Sequence, residues 1–330
     1  YTGDKLQINV GGQSVLLLSG ETAQISGSDA NQLTISIPDY AVPGETGLTF
    51  TDVKMTTPLF NVFEGTSSNA SRDITLSGEL RDGRLTLNLT PTYKSDIIGV
   101  WNLNLETDDF GTATLTPISI ETEQDISGSQ FIVQILGALL KGSMAVVNID
   151  FQADGNLTAT YNSNLLNDMM PALSGEQISP VFVHSPLNAI KWYVKDGALY
   201  LVPNLNLMLK NDPSKAQLGP LDPGTITTVG IPLYFKKEGD KMTVYVSKEQ
   251  TAPVFGLLST VISMIDPSFE LSLGGSSLPL RSLLEALVKP LIDAALAAER
   301  FDLCLNLVAG AIPEEAPQPS EEASAAAVKR

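Results

Sequence analysis

The chain is 330 residues long, with 43% hydrophobic residues and 26 glycines, which allows two folded domains of roughly 100–200 residues and excludes an intrinsically disordered protein. Its 37 acidic against 20 basic side chains leave a net charge of −17, a field that serves solubility and argues against nucleic acid as a partner. Cys304 is the one cysteine, so there is no intrachain disulfide and no cysteine metal cluster. A large secreted domain with an adequate core can do without bridges, so secretion stays open.

In chain order, residues 1 to about 90 alternate apolar positions with Thr, Ser, Asn and Gln, the pattern of a sheet with one buried and one wet face. Leu6–Val10 and Ser14–Leu18 flank a Gly11-Gly12 turn. Strands follow over Leu33–Ile37, Leu48–Val53, Ile74–Leu76 and Leu85–Leu89, the last pair turning on Asp82-Gly83. Short strands at this spacing predict a small antiparallel barrel or sandwich over 1–93. The predicted boundary is Pro91–Asp96, where a proline closes the sheet run and polar residues follow.

Beyond the boundary, strands continue at Ile97–Leu105 and Ala113–Ile120. Three more hairpins turn on Asp154-Gly155, Asp196-Gly197 and Glu238-Gly239-Asp240. An Asp-Gly loop suits the type I′ turn, whose two central residues need positive φ. Apolar runs at helical spacing interrupt the strands: Phe131 to Leu140, Val254 to Ile265, and Leu280 to Leu296, the last crossing Pro290, where a kink or break is expected. The first two carry few charges on any face and should be buried. The stretch Ala252–Ile265 is shorter than the roughly 20 residues of a bilayer span. Asp212–Lys215 and Leu221–Gly224 mark a long loop, and 313–330, rich in Pro, Ala, Glu and Ser, reads as a disordered C-terminal tail.

Catalytic signals are weak. His184 is the one histidine, so the common histidine zinc sites are excluded, and no Gly-x-Ser-x-Gly elbow accompanies it. Asp108-Asp109 and the cluster of Glu121, Glu123 and Asp125 read as solvated loop acids rather than an acid–base pair. They also lack the ligand pattern of a calcium loop. Cys304, within the apolar run Phe301–Val308, reads as a small buried hydrophobe. No phosphate-cradling motif is present. The expectation is a chain with no catalytic residues, no cofactor and no metal.

Two features point to binding. Trp192, Tyr193 and Tyr200 lie in one hairpin, and neighbours on a strand face opposite sides, so the first two cannot share one core, and one reading has one of them facing a groove and stacking on a ligand such as a glycan. The competing reading is ordinary cross-strand aromatic pairing. The apolar helices, with Val254, Leu258 and Ile262 on one stripe, either line a cavity for a hydrophobic ligand or plug the barrel as its core.

Gly99-x-Trp101, on the first strand of the second region, resembles the lipocalin/calycin signature, in which the tryptophan closes one end of an up-and-down barrel; Arg300 is the candidate partner arginine. Tyr1–Gly12, Leu33–Tyr40 and the Ile74–Leu89 hairpin resemble the calycin-like domain of uncharacterised surface lipoproteins of gut-type anaerobic bacteria. That resemblance implies a secreted, lipid-tethered protein, with any anchor upstream of Tyr1. The expected fold is mainly β: the small domain over 1–93, a larger calycin-like barrel with inserted apolar helices over 94–312, and the tail. The expected function is non-enzymatic binding of an apolar molecule or glycan. A structural or assembly role at the cell envelope is the alternative, and a carboxylate-dependent hydrolase is the third reading.

Overall fold

The computed structural model describes residues 1–15, 20–27, 29, 32–57, 61–107, 109, 113–122, 137, 146–164, 168, 177–208, 223–248, 270–273, 276–279, 281–282, 285–286 and 298–310. The fold is mainly β, built from a curled sheet followed by a closed barrel.

The first sheet contains β1 (Leu6–Val10), β2 (Gln13–Ser14), β3 (Gln24–Ser26), β4 (Leu33–Ser36), β5 (Thr49–Thr57), β6 (Val62–Ser68), β7 (Arg72–Arg81) and β8 (Arg84–Tyr93). Their spatial order is β2-β1-β8-β7-β6-β5-β4-β3, and β1 runs parallel to β8 while its other neighbours are antiparallel. The sheet curls far enough for Thr2 to bridge Thr22 at the opposite edge. Strict alternation drives this. Ile8, Ile74, Leu76, Leu85, Leu87 and Leu89 point inward and are essentially inaccessible, while the residues between them face water. Gly78 is a packing requirement: a Cβ there would lie 2.0 Å from the Phe63 ring.

Asp82 (φ 51°) and Gly83 (φ 73°) make the expected turn between β7 and β8. The boundary proline does not end the sheet. Pro91 lies inside β8, paired with Ile74. It is tolerated because β1 covers β8 only from Leu85 to Leu89, so no ladder donor is lost on that side.

The second region contains β9 (Gly99–Leu103), β10 (Glu106–Thr107), β11 (Ala113–Leu115), β12 (Ile118–Thr122), β13 (Val146–Phe151), β14 (Asn156–Asn162), β15 (Phe182–His184), β16 (Ile190–Lys195), β17 (Ala198–Pro203), β18 (Ile231–Glu238), β19 (Lys241–Val246), β20 (Glu270–Leu273), β21 (Ser276–Pro279) and β22 (Phe301–Ala309). Of these, β9, β13, β14, β16, β17, β18, β19 and β22 close an eight-stranded antiparallel ring, because β22 pairs back onto β9. β12 and β15 flank the ring, and β10–β11 and β20–β21 form separate ribbons.

Followed partner to partner around the ring, the register returns to β9 displaced by about twelve residues, a large shear that tilts the strands steeply and widens the bore. Three of the ring's turns are tight. Asp196 (φ 52°) and Gly197 (φ 77°) have the expected I′ signature, Gly239 (φ 62°) opens a two-residue loop, and Gly155 (φ 82°) closes the β13–β14 turn.

All three tight turns lie at one end of the barrel, and all four long connections, after β9, β14, β17 and β19, lie at the other. The segment read as one long loop after β17 contains two short helices, α1 (Leu205–Met208) and α2 (Pro223–Thr228), with Pro223 at a helix start, where its missing N–H costs nothing. The apolar runs 131–140 and 254–265 lie outside the described residues except Gly137, as does the tail 313–330. Of the run 280–296, Arg281, Ser282, Glu285 and Ala286 are helical, with an Arg281–Glu285 ion pair one turn apart.

The two sheets meet at Tyr93. Its backbone N–H donates to Ala153 O (2.7 Å), its hydroxyl donates to Pro43 O (2.9 Å), and its ring packs 5.8 Å from Trp192.

Candidate functional site

Paired residues of adjacent strands share a face, so the barrel register fixes which side chains enter the lumen. One inward level comprises Trp101, Phe151, Trp192, Leu199, Met242 and Leu307, all buried. Trp101 Nε1 donates to Ile97 O at 2.7 Å and fixes the ring beside the tight-turn end. This is the floor. Further inward positions, Leu103, Ile149, Leu157, Leu201, Leu233 and Leu305, are only half-buried although they face the barrel axis. An apolar side chain that points into a closed ring and still keeps accessible surface lines open space. The lumen therefore has an aromatic floor and an aliphatic wall.

The aromatic hairpin is placed differently from the sequence expectation of an exposed platform. Trp192 and Tyr193 do face opposite sides, yet both are covered. Trp192 is 0% exposed, its Nε1 shared between Gln152 O and Asn156 O (3.1 Å each), with Phe151 edge-on at 5.4 Å. Tyr193 points outward but is 3% exposed, because the Pro43-Gly44 turn of the first sheet lies on it. A Cβ at Gly44 (φ 83°) would come within 2.5 Å of the Tyr193 ring. The Tyr193 hydroxyl donates to Val229 O (2.6 Å), and its ring stacks on half-buried Tyr200 at 4.8 Å. Burial, reinforced by Tyr200, pushes the Tyr193 phenol well above its ordinary pKa. The distant first-sheet turn is what sequence neighbours could not reveal. Val254, Leu258 and Ile262 lie outside the described residues.

An aromatic pair with one exposed member lies elsewhere. Tyr234 (40% exposed) and Tyr245 lie 5.5 Å apart on the outer barrel face, with Lys236 Nζ 5.3 Å above the Tyr245 ring. The two-residue turn after Glu238 sets this pairing, so the register of that hairpin carried the signal.

The other candidate groups are dispersed. His184 Nδ1 lies 3.0 Å from Thr160 Oγ1 on the outside of the barrel. Glu121 pairs with Arg300 (3.3 Å), which also binds Asp302; Arg300 thus serves acids on the barrel exterior. Asp109 is exposed, while Asp108, Glu123 and Asp125 lie outside the described residues. Among the described residues no three His, Cys, Asp or Glu side chains gather as a metal site, and no helix is long and apolar enough to cross a membrane.

Cys304 is 3% exposed, and burial, with Glu121 adding to it, pushes its thiol up to about 12. Alkylation at pH 8 is therefore expected to fail on the native protein and go to completion in urea; reaction at the native rate of a free thiol would contradict this burial. The unfolded chain ionises this thiol more readily. Its contribution to stability is thus full below the ordinary thiol range and is lost as pH rises toward 12.

Searches against protein-family models, curated proteins and solved structures returned no match. The closed eight-strand ring is compatible with a calycin-like barrel.

Proposed function

We propose that the protein is a non-enzymatic binding protein that takes an apolar molecule into the lumen of its barrel. The observation that carries this reading is the set of half-buried aliphatic side chains facing the axis of a closed, strongly sheared ring above a sealed aromatic floor. The ligand class is an aliphatic chain or a small apolar ring system, because the wall is aliphatic and the one lysine on the inward face of β18, Lys237, sits at the tight-turn end beside Met242 with its ammonium 3.9 Å from Asp96. The sequence resemblance to calycin-like surface lipoproteins supports a secreted, surface-tethered setting for such a carrier.

Trp101 and Trp192 are the two tryptophans of the chain, and both belong to the floor. Titration with a fluorescent long-chain fatty acid is expected to give energy transfer from them. Ala159→Phe, at an inward half-buried position opposite Ile149, fills the wall and should weaken binding about tenfold or more. Equal affinity in the variant, or no transfer at all, would sink the lumen reading.

A second reading is an envelope assembly protein whose lumen is occupied by its own chain. Runs 131–140, 254–265 and 280–296 lie in sequence within the long connections that follow β9 and β19, which favours it. Native mass spectrometry after incubation with lipid extracts separates the two: a defined added mass supports the carrier, and a bare protein supports the plug.

A further inference from the structure

The outer face of the first sheet carries a trough of about 730 Å³ across β5–β8. Its floor is two rows of directly opposed residues. Thr66, Thr75 and Thr90 form one, and Glu64, Ser77 and Asn88 form the other, extended by Lys54 on β5. The outward face of a one-sided sheet is ordinarily polar, so polarity alone says nothing. Three further observations do.

The first is unspent hydrogen-bonding capacity. Among the described residues the hydroxyls of Thr66, Thr75, Ser77 and Thr90 have no hydrogen-bond partner, and Lys54 and Glu64 stand opposite each other without closing an ion pair. The second is shape. Short side chains, Thr66, Thr75, Ser77 and Thr90, pave the trough's centre and leave it open, with Lys54 and Glu64 at one side. The third is backbone geometry. Asp52 lines the trough with φ 58° in the middle of β5, at a bulge where two residues oppose one of β4. Non-glycine residues in this region are sparse and gather at functional sites.

We propose that this trough binds a neutral oligosaccharide chain, at a site separate from the barrel lumen. An apolar ligand finds no exposed aliphatic side chain in the trough, where Leu76 is 2% exposed. A polyanion meets Asp52, Glu64 and an overall charge of −17. A neutral polyol can use each threonine twice, its hydroxyl for a sugar O–H and its methyl for the adjoining C–H surface, while Lys54, Glu64 and Asn88 supply directional hydrogen bonds.

The test is affinity electrophoresis in gels containing soluble α-glucan, β-glucan, mannan, xylan or galactan, with polygalacturonate as the acidic control. At least one neutral polymer should retard the wild type. The double variant Thr66→Val, Thr75→Val keeps side-chain volume and should weaken that retardation about tenfold, as should Lys54→Ala. Both variants should keep the wild-type urea midpoint and the fatty-acid titration, so the lumen reading stands or falls separately. Retardation by no neutral polymer, by the acidic one alone, or equally in wild type and double variant overturns the proposal.

Discussion

Trp192→Ala is expected to destabilise the protein by about 3–5 kcal/mol, the range for emptying a fully buried aromatic site. The ring is 0% exposed and sits between Phe151, Tyr93 and the β13–β14 turn. Its loss opens a cavity that rigid strands cannot collapse into. It also removes the donor shared by Gln152 O and Asn156 O. Trp192→Phe separates the two effects, since it keeps most of the volume and loses the N–H; it should cost about 1–3 kcal/mol. Urea unfolding of the three proteins measures both values. A Trp192→Ala cost below about 1 kcal/mol would mean that the floor is loosely packed, unlike an ordinary protein interior, and would weaken the lumen reading with it.

The hairpins were legible because their turns carry a local chemical requirement. Asp82-Gly83 and Asp196-Gly197 need positive φ at both central residues, and few residue pairs supply it. Alternation then fixed the inward set of the first sheet, and Gly99-x-Trp101 marked the first strand of the barrel. What could not be read depended on contacts distant in sequence. The parallel pairing of β1 with β8 joins Leu6 to Leu85 with no turn to announce it. The cover over Tyr193 comes from Gly44, a residue of the other sheet. Ring closure between β22 and β9 spans most of the second region. The trough escaped notice for the opposite reason: exposed threonines look like any wet sheet face until register shows which of them stand side by side.

Arg72 is a further case of hidden pairing, and the second large effect expected. It occupies an inward position on β7 and is 5% exposed, where alternation calls for an apolar residue. Its guanidinium forms a two-pronged pair with Glu45, Nε to Oε1 at 2.8 Å and Nη2 to Oε2 at 2.6 Å, while Nη1 donates to Ser67 O and Oγ at 3.0 Å. Glu45 belongs to the turn that also offers Pro43 O to Tyr93, Gly44 O to Lys195 Nζ (3.3 Å), and its own carbonyl to Tyr40 N–H (2.8 Å). The pair is therefore a strut: it holds the turn that covers Tyr193 and joins the sheets. Arg72→Met leaves a largely buried carboxylate without its partner and should cost about 3–5 kcal/mol. It should also open the 40–46 turn to limited proteolysis. Adding Glu45→Met should restore most of the loss, because replacing both members of a buried pair by apolar groups is often nearly neutral. A double variant as unstable as Arg72→Met alone would show that the guanidinium's bonds to Ser67, not the strut to Glu45, hold this corner. Full recovery with protease resistance would show that packing across the turn is enough to keep the two sheets joined.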